Sequence, residues 1–231
     1  MITIQSLKKA YKGVTVVDVP ELKIHFNESV GVVGNNGAGK TTLFRMILDL
    51  IRPNEGSVLI NDTNVLGDDS WKHIVGSFLD EGFLIPYLTP DEYFRFVGNL
   101  HHYGPEDLKN FYAKFEDFFQ GEIAGKKKYI SDLSKGNLKK VGIAAAFMGN
   151  PQLVMLDEPF ENLDPTSQIK LKNLLNRERQ ERQVTYLISS HDLNHVTEIC
   201  NRIIILEKGK VIRELAGQEN MLAELEAYFK A

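Results

Sequence analysis

Gly34-Asn35-Asn36-Gly37-Ala38-Gly39-Lys40-Thr41 is the stretch on which the reading of this chain turns. It fits G-x-x-x-x-G-K-[ST], a loop that wraps a row of phosphates. Glycines at 34, 37 and 39 let the backbone turn tightly and partly left-handed, so that successive N–H groups converge on phosphate oxygens. Lys40 supplies a cation for the β- and γ-phosphates, and the Thr41 hydroxyl reaches Mg²⁺. Ser29-Val-Gly-Val-Val33 reads as a buried strand leading in, and a helix begins at Thr42 and leads out. That helix aims its positive end at the anion. A chance match in a glycine-rich turn is the competing reading, and the strand, loop and helix in order weigh against it. The expectation is a site for ATP or GTP.

Composition narrows the class. With 31 acidic against 27 basic residues, the net charge of −4 argues against a broad nucleic-acid footprint. Cys200, the one cysteine, sits in an apolar-periodic segment and reads as a small buried hydrophobe. A lone cysteine forms no disulfide within one chain, which fits a reducing, cytoplasmic compartment. No leader-like apolar region opens the chain, and no run of about 18 apolar residues exists to span a membrane. Any work at a membrane therefore goes through a partner.

The chain changes style along its length. Residues 1–79 carry short β-rich runs broken by Gly, Asn and Asp turns. Thr89-Pro90-Asp91-Glu92 then reads as a capped helix start, with Thr as the cap and Glu three residues on. Phe111, Phe115, Phe118 and Phe119 follow at helical spacing, as an aromatic core stripe would. From Leu153 onward, short apolar runs suited to strands covered on both faces alternate with helices. The expectation is one α/β domain over residues 1–231. Residues 1–84 and 151–231 form its nucleotide-binding core, and the helical segment 85–150 is inserted between them.

Further features stand where phosphate chemistry needs them. Leu153-Val-Met-Leu156 ends in Asp157 and Glu158. Ligands gather at the carboxyl ends of parallel strands, where Asp157 would hold Mg²⁺ and Glu158 would orient or deprotonate water. A solvated acidic turn is the alternative for the pair alone. His191 directly follows another apolar run, residues 184–190, and a strand beside that of Asp157 would bring its imidazole to the γ-phosphate. His191 and His195 are spaced like a zinc pair, but Asp192 stands where H-E-x-x-H needs Glu, so zinc is rejected. Leu133-Ser134-Lys135-Gly136-Asn137, read alone, is a serine-capped helix start.

The order of phosphate loop, Leu133–Asn137 stretch, Asp-Glu pair and histidine resembles the ATP-binding-cassette (ABC) ATPases over essentially the whole chain. Their signature is usually Leu-Ser-Gly-Gly-Gln. The resemblance implies a P-loop NTPase fold: a mixed, largely parallel sheet, an antiparallel β subdomain and the inserted helical subdomain. It implies two ATP molecules and Mg²⁺ sandwiched in a head-to-tail pair of cassettes, either a homodimer or a pairing with a paralogue. Ser134 and Gly136 would then reach the γ-phosphate bound at the other subunit's Lys40. Tyr11 matches the adenine-stacking aromatic, with a tyrosine at a strand edge as the alternative. Residues 161–164, Glu-Asn-Leu-Asp, match the loop that connects the two sites, and they also read as a helix cap before Pro165.

Departures from the pattern are Lys135 for glycine and Asn137 for glutamine in the signature. Where the family carries a glutamine contacting Mg²⁺, Asp80 stands, with Glu81 as the alternative. Lys126-Lys127-Lys128 reads as a solvated face. The resemblance points to the ATPase subunit of a transporter of exporter-like type, peripheral on the inner face of the cell membrane through separate transmembrane permease subunits. The apolar stretch 83–88 is the expected docking surface, and packing against the Phe111–Phe119 helix is its alternative. A soluble cassette ATPase of a non-transport complex, such as cofactor assembly, is the second reading.

Overall fold

The structure is a computed structural model describing residues 1–217 and 220–230. Along the chain come β1 (Ile2–Tyr11), β2 (Val14–Ile24), β3 (Ser29–Val33), α1 (Lys40–Ile47), β4 (Glu55–Ile60), β5 (Thr63–Asn64) and β6 (Val75–Phe78). Three helices follow: α2 (Pro90–Leu100), α3 (Pro105–Phe119) and α4 (Lys135–Ala145). Then come β7 (Leu153–Asp157), α5 (Pro165–Arg182), β8 (Thr185–Ser190), α6 (Leu193–Ile199), β9 (Arg202–Glu207), β10 (Lys210–Ala216) and α7 (Met221–Lys230).

The strands divide between two sheets. Lys12 and Gly13, both at positive φ, close the β1–β2 hairpin as a two-residue turn of the kind that matches strand twist. With β4 and β5 this hairpin builds an antiparallel sheet in the order β2-β1-β4-β5. The second sheet runs β10-β9-β3-β8-β7-β6, parallel from β9 to β6 with β10 antiparallel at the edge. Its central strands β3, β7 and β8 are buried at every residue, which is why they read as unbroken apolar runs rather than alternating ones.

Helix α1 is buried between the two sheets. Its Leu43, Phe44, Met46 and Ile47 pack with Ile4, Val17 and Val19 of the hairpin and with Val30 and Val32 of β3. The opposite face of the parallel sheet carries Leu156, Tyr186 and Ile188 against the helices. There Phe111, Phe115, Phe118 and Phe119 are all buried, and Phe94 of α2 meets Phe111 edge-on at 5.0 Å between ring centroids. The aromatic stripe is core. Thr89 caps α2 in a complete capping box with Glu92, as its sequence implied.

This architecture brings the ends of β3, β7 and β8 side by side, because parallel pairing places Val33 beside Ser190 and Asp157 beside Ser189. Residues far apart in the chain therefore meet at one edge of the sheet.

Candidate active site

The loop after β3 is shaped by close approaches rather than by side chains. A Cβ on Gly34 would lie 2.2 Å from the carbonyl oxygen of Leu206, so only glycine lets the loop pass β9. The Ala38 N–H donates to the Asn35 carbonyl at 3.0 Å, and Gly209 N–H donates to the Ala38 carbonyl at 2.9 Å, which tie the loop to itself and to the β9–β10 turn. A concavity is lined by Asn36, Gly37, Ala38, Gly39, Lys40, Thr41 and Thr42 together with Asp157 and Glu158. Gly34 and Asn35 form the inner start of the same loop. Lys40 is buried at the start of α1, its ammonium donating to the Gly34 carbonyl at 2.6 Å and lying 3.4 Å from the Glu158 carboxylate.

Three side chains from three elements then meet. Thr41 Oγ1 of α1 donates to Asp157 Oδ2 at 2.6 Å, and Ser189 Oγ of β8 donates to Asp157 Oδ1. Burial pushes the Asp157 carboxyl up, while those two hydroxyl donors pull it down. A buried carboxylate beside a hydroxyl is a hard-oxygen pair of the kind that holds Mg²⁺ when phosphate oxygens and water complete the shell. Among the described residues no cluster of three or more His, Cys, Asp or Glu could hold a metal alone. The donor set thus fits a cation shared with a nucleotide.

Glu158 sits just past the end of β7 with φ of 47°, a left-handed conformation that costs a non-glycine residue about 1–2 kcal/mol. Its N–H is held by Ser189, through the carbonyl at 3.2 Å and Oγ at 3.0 Å. The turn throws its carboxylate between Lys40 and His191. His191 Nδ1 lies 2.9 Å from Glu158 Oε2, and the His191 N–H donates to the same oxygen at 3.1 Å. A carboxylate, an imidazole and an ammonium thus converge beside the phosphate loop, an arrangement suited to aligning and deprotonating a water.

Other sequence-predicted residues fall differently. Tyr11 is 47% exposed at the tip of the hairpin whose second strand carries Val16 into the concavity. Ser134 caps α4, accepting from the Asn137 N–H at 3.3 Å. A Cβ on Gly136 would lie 2.9 Å from the Asn162 carbonyl oxygen, so α4 rests directly on the 161–164 loop. Asp164 also caps α5 through Ser167, so the helix-cap reading of that loop holds. Lys126, Lys127 and Lys128 are exposed, and together with Ser134 and Asn137 they line a shallow hollow.

Asp80 is not brought to the phosphate loop's lining. One of its oxygens pairs with Arg45 at 3.2 Å and the other accepts the Gly82 N–H at 2.7 Å. That guanidinium stands one turn along α1 from Thr41. Glu81 turns instead towards Lys139, at 4.0 Å. Of the stretch 83–88, Leu84 packs inside, whereas Phe83 and Tyr87 are 54% and 73% exposed, so internal packing does not account for those two rings.

Three contributors escaped the sequence reading. Ser189 orders both carboxylate residues, and its only signal was the Ser-Ser pair before His191. Arg45 and Lys139 gave no signal, because their partners are distant in the chain.

A phosphate loop opening a helix beside a parallel sheet, with an acidic pair on the neighbouring strand but one, defines a P-loop nucleoside-triphosphate site. Residues 17–161 match the ABC transporter family. The chain is 31% identical to the SkfA peptide export ATP-binding protein SkfE of Bacillus subtilis over 93% of this chain and 89% of that protein. It is 33% identical to an uncharacterized ABC transporter ATP-binding protein of Nostoc over 86% of this chain, but spans only 61% of that relative's length. The dimeric post-hydrolysis structure of the ATP-binding cassette MJ0796 bound to ADP and Pi superposes with a TM-score of 0.81 at 26% identity, covering 94% of this chain and 98% of that one. The chain belongs to the ABC transporter family, and its fold is that of an ABC ATPase cassette.

Proposed function

We propose that this chain is the ATP-binding and hydrolysing subunit of a membrane transporter, working as one of a pair of cassettes. Phosphates lie on the N–H groups of residues 34–42, Lys40 neutralises them, and Tyr11 stacks on the adenine. Thr41 and Asp157 would hold Mg²⁺, which supplies charge neutralisation on the β- and γ-phosphates. Glu158 takes the proton of the attacking water, and His191 fixes the carboxylate's direction and faces the γ-phosphate. Ser134 and the α4 N-terminus meet the nucleotide held by the second subunit, whether a second copy or a paralogue. The family's dimeric, ADP-and-Pi-bound MJ0796 cassette supports that pairing.

No helix among the described residues is long and apolar enough to cross a membrane. In this reading transmembrane permease subunits carry out the translocation. Phe83 and Tyr87 are the surface that docks them, placing this subunit on the inner face of the cell membrane. The likeness to SkfE supports an export-type permease as the partner.

The observation that carries the reading is the Glu158 carboxylate, held between Lys40 and His191 at the mouth of the loop. Replacing it by Gln keeps shape and hydrogen bonding but removes the base. ATP binding should survive, turnover should fall by about 10²-fold or more, and the ATP-loaded protein should run as a dimer on a sizing column. Unchanged turnover of Glu158→Gln refutes the assignment.

A further inference from the structure

Lys139 is buried in α4, five residues past the capping Ser134, with its side chain 5% exposed. Burial pushes its pKa down, against the pull of Glu81, Glu161, Glu158 and Asp157. A buried ammonium is costly unless it is hydrogen-bonded or paired with opposite charge, and this one has one hydrogen-bond acceptor and two carboxylates in range. It donates to the backbone carbonyl of Glu158 at 2.7 Å, and it lies 4.0 Å from both the Glu81 and the Glu161 carboxylates.

The positions of those partners matter more than their number. Glu158 is the residue in left-handed conformation whose N–H is already fixed by Ser189. With Lys139 on the carbonyl, the backbone is held on both sides of the Glu158 Cα, and the side chain leaves in one direction. Glu81 begins the short turn Glu81–Phe83 that leads into the exposed Phe83 and Tyr87 rings. Glu161 belongs to the loop on which Gly136 rests. One ammonium is therefore hydrogen-bonded to the strand end that carries Glu158 and lies within ion-pair range of the inter-site loop and of the start of the apolar surface.

We propose that Lys139 is a positioning residue that fixes the Glu158 carbonyl and, through Glu81, ties the aim of the hydrolytic carboxylate to the turn that opens the Phe83–Tyr87 surface. It rests on the reading of Glu158 as the hydrolytic group. A displacement of that turn moves Glu81, shifts the ammonium and reorients Glu158.

The experiment is steady-state ATPase kinetics on the full chain, with each substitution made in the wild type and in the Glu158→Gln background. Lys139→Met should lower kcat about tenfold or more while the KM for ATP moves less than about twofold, because misaiming a reacting group slows chemistry without touching the phosphate loop. In the Glu158→Gln background the same change should lower the residual rate no further, since the group it positions is already disabled. General damage would lower both rates alike. Glu81→Gln, at a half-buried position, provides the same cycle should Lys139→Met fail to fold, with a fall of about threefold expected in the wild type alone. Losses that add in the Glu158→Gln background, or wild-type kcat in the foldable variants, overturn the role of Lys139 while leaving the ATPase reading standing. A wild-type chain without turnover overturns both.

Discussion

Gly34→Ala and Gly37→Ala alter the same loop by one methyl each, and the structure separates them sharply. At Gly34 the new Cβ would sit 2.2 Å from the Leu206 carbonyl oxygen. That carbonyl belongs to β9, which pairs with β3 and is buried, so the loop must give by roughly 1 Å. Overpacking of this kind costs about 1–3 kcal/mol of stability. The same shift pulls the phosphate-facing N–H groups off their aim. Losing one or two hydrogen bonds to a charged group, at about 1.5 kcal/mol each, weakens ATP binding about tenfold to a hundredfold. At Gly37 a Cβ meets nothing within 4 Å, and only the φ of 82° resists it. That strain is about 1–2 kcal/mol, with ATP affinity changed by less than about threefold. Urea unfolding gives the stability of each variant and titration calorimetry with Mg-ATP gives the affinity. Equal affinity losses in the two variants, or wild-type affinity in Gly34→Ala, would refute the reasoning.

Three other predictions follow from the same contacts. His191→Ala should keep ATP binding but lower kcat about tenfold to a hundredfold, because Glu158 loses the imidazole and with it a fixed direction; single-turnover hydrolysis checks this. Phe83→Asp and Tyr87→Asp should leave thermal stability and ATP binding of the isolated chain nearly unchanged and abolish co-purification with the transmembrane subunits; unfolding of both variants would show the rings to be core after all. Burial and the neighbouring His73 and His102 charges push the His101 pKa down in the folded chain. The unfolded chain, with a value near 6.5, therefore takes up the proton first, and stability falls as pH drops below about 6.5. Urea midpoints at pH 7.5 and 5.5 should converge in His101→Gln relative to the wild type.

Much of the chemistry was local and therefore legible in the sequence. The loop 34–41 is written in consecutive residues because backbone N–H groups, not distant side chains, do the holding. Asp157 and Glu158 announce themselves as carboxylates at the end of an apolar run, and the Thr89–Glu92 capping box closes within one turn of chain. His191 was legible at one remove, since strand order had to be assumed before it could meet Glu158.

Tertiary structure alone decided what distant segments do to one another. Register places Asp80 at the family's glutamine position, but only the fold shows that Arg45 on α1 and the Gly82 N–H engage its oxygens. Lys139 looks like an ordinary surface cation in a run of two lysines, yet the packing of α4 buries it on the Glu158 carbonyl. The Lys126–Lys128 run and Ser134 line one hollow although the sequence reads as a solvated face followed by a cap. The physical reason is common to all three. Side-chain pairing and shared surfaces depend on distances of a few ångströms that parallel pairing and helix packing create, and no spacing along the chain encodes them.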